Sequence, residues 1–329
     1  ELPVVEDWRK DWKPEYLSPS RINQWKKCPA QYKFDRIDKV KTPGREYFAT
    51  GNVFDQVVFE EFRLDMGQEI EPIVQVAGDE LYHRLKTDET LRHATTQGKK
   101  ANEPFTDEDI RSSVMNFRTW TRGFLDALSK GEDYKGNKVL FPAVKDTQVL
   151  CKWPIEIDGK KVTIAGYADI LHEDGSVSDL KMASTWNKIA WSMGRVLADE
   201  IQWIAYSQAL NTNTFRYIIM EKQMTGKWPN RKASTPTVKV IKVDITPRDI
   251  ERFKDLVTSF LRETDFLNGH KNGVFPPRPA YEGNLKDVFN RNDPQKALTQ
   301  VNFCTKLCDF KEQCYKENFS GDVRMDVLE

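Results

Sequence analysis

Residues 166–184 read GYADILHEDGSVSDLKMAS, and their pattern decides the fold class. Two strand-like runs, "KVTIAGYADILH" (161–172) and "SVSDLKM" (176–182), flank Asp174-Gly175, a dipeptide suited to a tight hairpin turn. A third run, "TQVLCKWPIEI" (147–157), precedes them across Asp158-Gly159. The expected unit is a three-strand meander with Asp169 on its second strand and Asp179 on its third. Two acids on neighbouring antiparallel strands converge at one end of a sheet, because the hairpin folds the second back beside the first. Lys181, two positions on, points to the same face as Asp179. Two carboxylates and the Leu180 backbone carbonyl offer the hard oxygen ligands that Mg²⁺ or Mn²⁺ prefer. A lysine beside them can orient or help deprotonate a water and stabilise charge on a phosphorane. The same residues also fit an ordinary charge pair on a surface strand, and a bare D-x-K triplet does not separate the two.

Upstream, "LSPSRINQWKKCPAQYKFDRI" (17–37) has a helix start at Ser18-Pro19 and a break at Cys28-Pro29. "TGNVFDQVVFEEFRLD" (50–65) places Phe54, Val58 and Phe62 at helical spacing, with Thr50 as a possible cap and Asp55 on a mostly buried helix. Residues 67–146 are polar and mostly helical in pattern, and are read as a helical insertion. Downstream, "RVLADEIQWIAYSQALN" (195–211) reads as an amphipathic helix. Strands "TFRYIIMEKQ" (214–223) and "TVKVIKVDI" (237–245) and a helix from Pro247 to about Asn268 follow. A Pro-rich stretch and a tail with three cysteines end the sequence. The expected class is α/β, in the order helix, three-strand meander, helix, strand.

Composition narrows the function classes. Of 329 residues, 39% are hydrophobic and 30% charged, as in a soluble globular protein. Lys+Arg and Asp+Glu are 50 each, so a nucleic-acid partner would have to be held by a local groove rather than by overall charge. No apolar stretch approaches membrane-spanning length and residues 1–16 lack signal-peptide features; the expectation is a cytoplasmic protein with no membrane partner. The cysteines are Cys28, Cys151, Cys304, Cys308 and Cys314, an odd set that argues against a disulfide framework. Cys151 reads as a small core residue. His83, His93, His172 and His270 are scattered, with His172 at most on the rim of the carboxylate site.

Assembled, these pieces resemble the PD-(D/E)XK nuclease superfamily, and within it the iron-sulfur branch of Cas4-like, AddB/RecB-like and Dna2-like nucleases, over Ser18 to Cys314. "GYADIL" looks like the family's metal-binding aspartate strand, "SDLKMAS" its D/E-x-K strand and "DEIQWIAYSQAL" its Q-x-x-x-Y helix. "GNVFDQVV" resembles the G-x-x-x-H helix with Asp55 at the histidine position. The resemblance implies a restriction-endonuclease-like core in a single nuclease domain over 1–329. It implies metal binding by Asp55, Asp169, Asp179 and the Leu180 carbonyl, water activation by Lys181, and DNA contacts from Gln202 and Tyr206. Alone, the last two read better as a helix surface or a partly buried tyrosine. The implied activity is a metal-dependent deoxyribonuclease on single-stranded DNA or free ends, an exonuclease leaving 5′-phosphates, in recombination, repair, replication or CRISPR-type processing. A separate helicase, recombination or Cas1-like partner is possible in that setting, since no P-loop is present. Trp186, Lys188 and Trp191 fit a single-strand clamp or the core and rim.

"WKKCPAQYKF" and "NFCTKLCDFKEQC" look like the family's cysteine pattern, one ligand upstream and three downstream. Cys28, Cys304, Cys308 and Cys314 would then hold a 4Fe-4S cluster, with residues 271–329 packed against the segment around Cys28. Four thiolates also suit a structural Zn²⁺. The competing class is a catalytically inactive nuclease-fold scaffold that binds DNA or a protein.

Overall fold

A computed structural model describes residues 16–40, 46–55, 69–88, 105–184, 200–226 and 232–276. Its chain divides into two compact units, one of Glu1–Leu17 with Pro43–Ile250 and one of Ser18–Thr42 with Glu251–Glu329.

The first unit is built on a five-stranded mixed sheet. Strands β1 (Val144–Ile157), β2 (Lys160–His172) and β3 (Val177–Ser184) form the expected meander. Strand β3 then pairs in parallel with β4 (Thr214–Thr225), which pairs antiparallel with β5 (Lys232–Asp244), giving the order β1-β2-β3-β4-β5. The strand prolines, Pro154 and Pro236, fall on the edge strands β1 and β5, where a missing N–H is tolerated. Asp158 and Gly159 both take positive φ, 50° and 73°, as a two-residue hairpin with the right-handed twist requires. The β2–β3 turn is longer than expected. The His172 N–H donates to the Ser176 carbonyl, and the Asp174 carboxylate accepts from the Ser176 N–H at 2.9 Å and from its hydroxyl. An aspartate that hydrogen-bonds two residues ahead stabilises this wider turn over a tight one.

One sheet face, carrying Ile170, Leu180, Ile218, Met220 and Val238, buries against helices α3 (Glu46–Val53), α4 (Ile70–Thr87) and α5 (Asp107–Lys130). The helices of segment 67–146 therefore share one hydrophobic core with the sheet. Helix α5 starts at a reciprocal Thr106–Asp109 capping box and stops at Gly131, whose φ is 69°. Trp120 on α5 donates its indole N–H to the Gln223 carbonyl at 2.9 Å, tying the helix to β4. Thr50 is not a cap. Helix α3 begins four residues earlier, because Ala49, Val53 and Phe54 must all turn into the core, and Thr50 is buried within it. The opposite sheet face receives helix α6 (Gln202–Ala209), packed on β1, β2 and β4. Among the described residues no helix is long and apolar enough to cross a membrane.

In the second unit Ser18 caps α1 (Pro19–Lys27) by accepting from the Arg21 N–H, and extended Cys28 separates it from α2 (Pro29–Tyr32). Trp25 and Tyr32 set their rings edge-on to Phe260 of α7 (Pro247–Thr264), at 5.5 and 5.4 Å. Phe275 stacks on Tyr32. Residues 277–329, with Cys304, Cys308 and Cys314, lie outside the described residues, as do Val58, Phe62, His93, Trp186, Lys188 and Trp191.

Phe124 of α5 meets Phe54 edge-on at 5.3 Å, one residue before Asp55. Phe124→Ala is expected to cost about 3–5 kcal/mol in chemical denaturation, as deletion of a fully buried ring does.

Candidate active site

The site lies where β2 and β3 part. Their paired positions are Leu171↔Val177 and Ile170↔Ser178, and the next residues along are Asp169 and Asp179. Beyond Ser178 the Leu180 N–H donates to the Asp169 carboxylate Oδ2 at 2.7 Å. A side-chain acceptor thus satisfies a backbone donor, and the two strands can separate around the acids without leaving that buried N–H unpaired. The Leu180 side chain is buried in the core beneath.

Four charged groups from three elements meet here. Asp179 is 2% exposed and its Oδ2 forms an ion pair with the Lys181 ammonium. Among the described residues that oxygen has no other donor. Asp169, Lys181 and Asp55 are half-buried, so each keeps some exposure to solvent. Asp55 arrives at the end of the α3 segment, immediately after buried Phe54. Burial raises the Asp55 carboxyl to about 6, with Lys181 pulling it down and Asp179 pushing it up. Burial also holds Asp169 well above the usual carboxylate range, reinforced by the charges of Asp179 and Asp55. Burial alone would lower Lys181, but Asp179 and Asp169 outweigh it and keep the ammonium above its ordinary pKa. Three acids around one lysine carry an excess of negative charge, the condition under which a cation is taken up.

Gln202 and Tyr206 lie on α6 one turn apart, and the Gln202 side chain hydrogen-bonds the Tyr206 hydroxyl. Tyr206 is buried rather than on a surface facing outward. Its ring rests on Gly166 of β2, so closely that a Cβ there would lie 2.5 Å from the hydroxyl. Glycine is required at that strand position by close approach. Burial, then the charges of Asp179 and Asp169, raise the Tyr206 phenol well above its ordinary range. Gln202 is half-buried and remains open to a ligand.

Several residues here escape a reading by motif. Tyr217 stands in register with Asp179 across the parallel β3–β4 pair, and burial followed by the Asp179 charge raises its phenol. Glu200, just before α6, adds negative field at Lys181 and Tyr217. Gln148 of β1 reaches toward Asp169. The available signals were the odd-numbered spacing of Tyr217 along β4 and the acid two residues before Gln202; nothing in the sequence distinguished Gln148. His172 corrects the expectation of a rim residue. It is fully buried, its ring held between the Pro142 carbonyl at 2.8 Å and the Ser178 hydroxyl at 2.6 Å, and burial lowers its pKa. Cys151 is a core thiol, in register with Gly166 and pushed up to about 12 by burial. Cys28 is half-buried at the α1–α2 break.

The donor chemistry fits a hard divalent cation: three carboxylates, one of them with a buried oxygen that, among the described residues, pairs with the lysine alone. No three His, Cys, Asp or Glu side chains among the described residues already stand at metal-ligand spacing.

A mixed α/β sheet whose strands part to bring an aspartate and a D-x-K strand together in a half-buried acidic cluster defines a nuclease-type core. The chain belongs to the PD-(D/E)XK nuclease superfamily, whose pattern it matches over residues 16–315. Nucleic acid is accordingly its substrate class. Among curated proteins none matches. Among solved structures it is similar to a candidate exonuclease from Eubacterium rectale, at 13% identity and TM-score 0.44, over 95% of this chain and 92% of that one. It is also similar to the protein SSO0001, at 11% identity and TM-score 0.30, over 75% and 77% of the two chains.

Two outcomes follow from this geometry. An acid whose pKa is raised on folding contributes stability that is complete below its unfolded value and lost as pH rises through its folded value; for Asp55 that window runs from 3.8 to about 6. Near neutral pH, metal-free Asp55→Asn is therefore expected to be more stable than wild type by about 1–3 kcal/mol in urea unfolding. Gly166→Ala is expected to force Tyr206 out of place, detected as a changed tyrosine environment in near-ultraviolet circular dichroism, while Cys151→Ala leaves that signal unchanged.

Proposed function

We propose that this protein is a metal-dependent deoxyribonuclease that hydrolyses single-stranded DNA or free DNA ends as an exonuclease. The observation that carries the reading is the opening of the β2–β3 ladder at Asp169 and Asp179, with Lys181 paired to Asp179 and Asp55 within electrostatic reach of both.

Asp169, Asp179, Asp55 and the Leu180 carbonyl would hold Mg²⁺ or Mn²⁺. Once bound, such an ion supplies positive charge to the phosphoryl oxygens and eases ionisation of the attacking water. The remaining work falls to the chain. The Leu180 N–H keeps Asp169 oriented through Oδ2. Lys181, held as an ammonium, orients the phosphate and neutralises negative charge on its non-bridging oxygens in the transition state, a role its raised pKa suits better than proton abstraction. Water adds to phosphorus, the bond to the 3′ oxygen breaks, and that oxygen takes up a proton, leaving a 5′-phosphate and a 3′-hydroxyl. Half-buried Gln202 would contact the DNA backbone, and Tyr206 beneath it would hold Gln202 in place. Asp55 in the place of a histidine makes the ligand set all-oxygen and favours a hard ion.

Away from this site, Cys28, Cys304, Cys308 and Cys314 would bind a 4Fe-4S cluster, with Zn²⁺ as the alternative. Partners would include a separate helicase, recombination or Cas1-like protein.

Digestion of end-labelled single-stranded and duplex DNA with Mg²⁺ or Mn²⁺ tests the activity. Asp179→Ala and Lys181→Ala are each expected to lose cleavage by at least about 10³-fold with the fold intact; cleavage at the wild-type rate by either removes the assignment. An inactive wild type with its fold and metal content intact would favour the scaffold. In protein purified without oxygen, Cys28→Ala is expected to lose iron and its brown colour, and a colourless, zinc-containing wild type would reject the cluster.

A further inference from the structure

Gln148 sits within edge strand β1, four residues after its start at Val144, with a φ of 51°. That is the left-handed region, which a side-chain-bearing residue enters at a cost and which a strand does not ordinarily visit. The flanking pairs Thr147↔Ile170 and Val149↔Ala168 remain in register, so the distortion is confined to one residue, and the position across from it is Asp169. The strand also carries an irregularity between Val144 and Asp146, just upstream. Irregularities of this kind re-aim side chains next to active sites.

The side chain goes to one place. The Gln148 amide nitrogen lies 3.4 Å from Oδ1 of Asp169, a long hydrogen bond to the oxygen that the Leu180 N–H does not use. Asp169 is thus gripped from both sides, by a backbone donor of β3 through Oδ2 and by a side-chain donor of β1 through Oδ1. A purely structural bend would be served by glycine, which takes positive φ without strain. A glutamine at this φ is explained by what its amide does.

We propose that Gln148 is a positioning residue of the active site, set by a strained backbone so that its amide holds the Asp169 carboxylate in the orientation that receives the divalent cation. The inference rests on the nuclease reading above. Partners that orient a metal-binding carboxylate in this way change metal affinity or activity by about 10–100-fold when removed.

The experiment compares the full-length wild type with Gln148→Gly and Gln148→Asn. Asparagine tolerates the left-handed backbone and keeps an amide, but is one methylene short of Asp169. The readouts are metal-free thermal unfolding, Mn²⁺ affinity from titration of the metal alone, and kcat and KM for single-stranded DNA. Gln148→Gly is expected to unfold at the wild-type temperature or above, because the strain is relieved. Its Mn²⁺ affinity and kcat are expected to fall by about 10–100-fold with KM little changed, and Gln148→Asn should behave similarly. Wild-type Mn²⁺ affinity and kcat in Gln148→Gly would overturn the proposal and leave the nuclease reading intact. Mn²⁺ binding that weakens in the variants of a chain that never cleaves DNA would uphold it and remove the nuclease. No Mn²⁺ binding by wild type would overturn both.

Discussion

The hydrogen bond from the Leu180 N–H to the Asp169 carboxylate is the constraint on which the site depends. Two antiparallel strands normally exchange backbone hydrogen bonds along their length, and a strand that leaves its partner exposes buried donors at a cost of about 1–3 kcal/mol each. Here the β2–β3 pairing stops at Ile170↔Ser178 because a carboxylate takes over as acceptor. The strands diverge at the two positions that carry acids, while β3 stays paired with β4 along its other edge from Val177 to Ser184. The same bond that permits the separation fixes Asp169 within it.

The surroundings make this local event chemically useful. Leu180, Ile170, Ile218 and Met220 bury the opposite face of the sheet against α3, α4 and α5, so the backbone under the acids is anchored by a hydrophobic cluster shared by sheet and helices. His172 braces Ser178, one residue before Asp179, from inside the core. Tyr206 covers Gly166, three residues before Asp169, where no side chain larger than hydrogen fits. Support on three sides holds the Asp179–Lys181 ion pair in place at 2% exposure of the aspartate, an arrangement that costs stability and is kept where function needs it. The raised pKa values of Asp55 and Asp169 express the same cost.

Much of the fold was legible because it rests on short-range signals. Asp158-Gly159 forces a hairpin by its positive φ values, Ser18-Pro19 starts a helix, Cys28-Pro29 stops one, and alternating apolar residues place Asp169 and Asp179 on adjacent strands. The misreadings have equally local causes. Thr50 looked like a cap because caps favour threonine, yet burial of Ala49, Val53 and Phe54 outweighed that preference and extended the helix upstream. Asp174-Gly175 suits a tight hairpin turn, and the aspartate side chain widened that turn by closing it on Ser176. His172 seemed a rim residue because hydropathy cannot tell a solvated histidine from one whose two ring nitrogens are both satisfied in the core.

The amino-acid sequence by itself determined the identity of the acids and lysine, their strands and their spacing, since period-two alternation and turn chemistry act over a few residues. The tertiary structure brings Asp55 within electrostatic reach of them from beyond the end of α3, and it alone decided that Tyr206 lies inward on Gly166, that Tyr217 and Glu200 shape the field, and that Gln148 bends its backbone toward Asp169. These contacts join residues from about 20 to more than 100 positions apart, and the hydrophobic burial that brings them together is non-directional, so no local pattern encodes it.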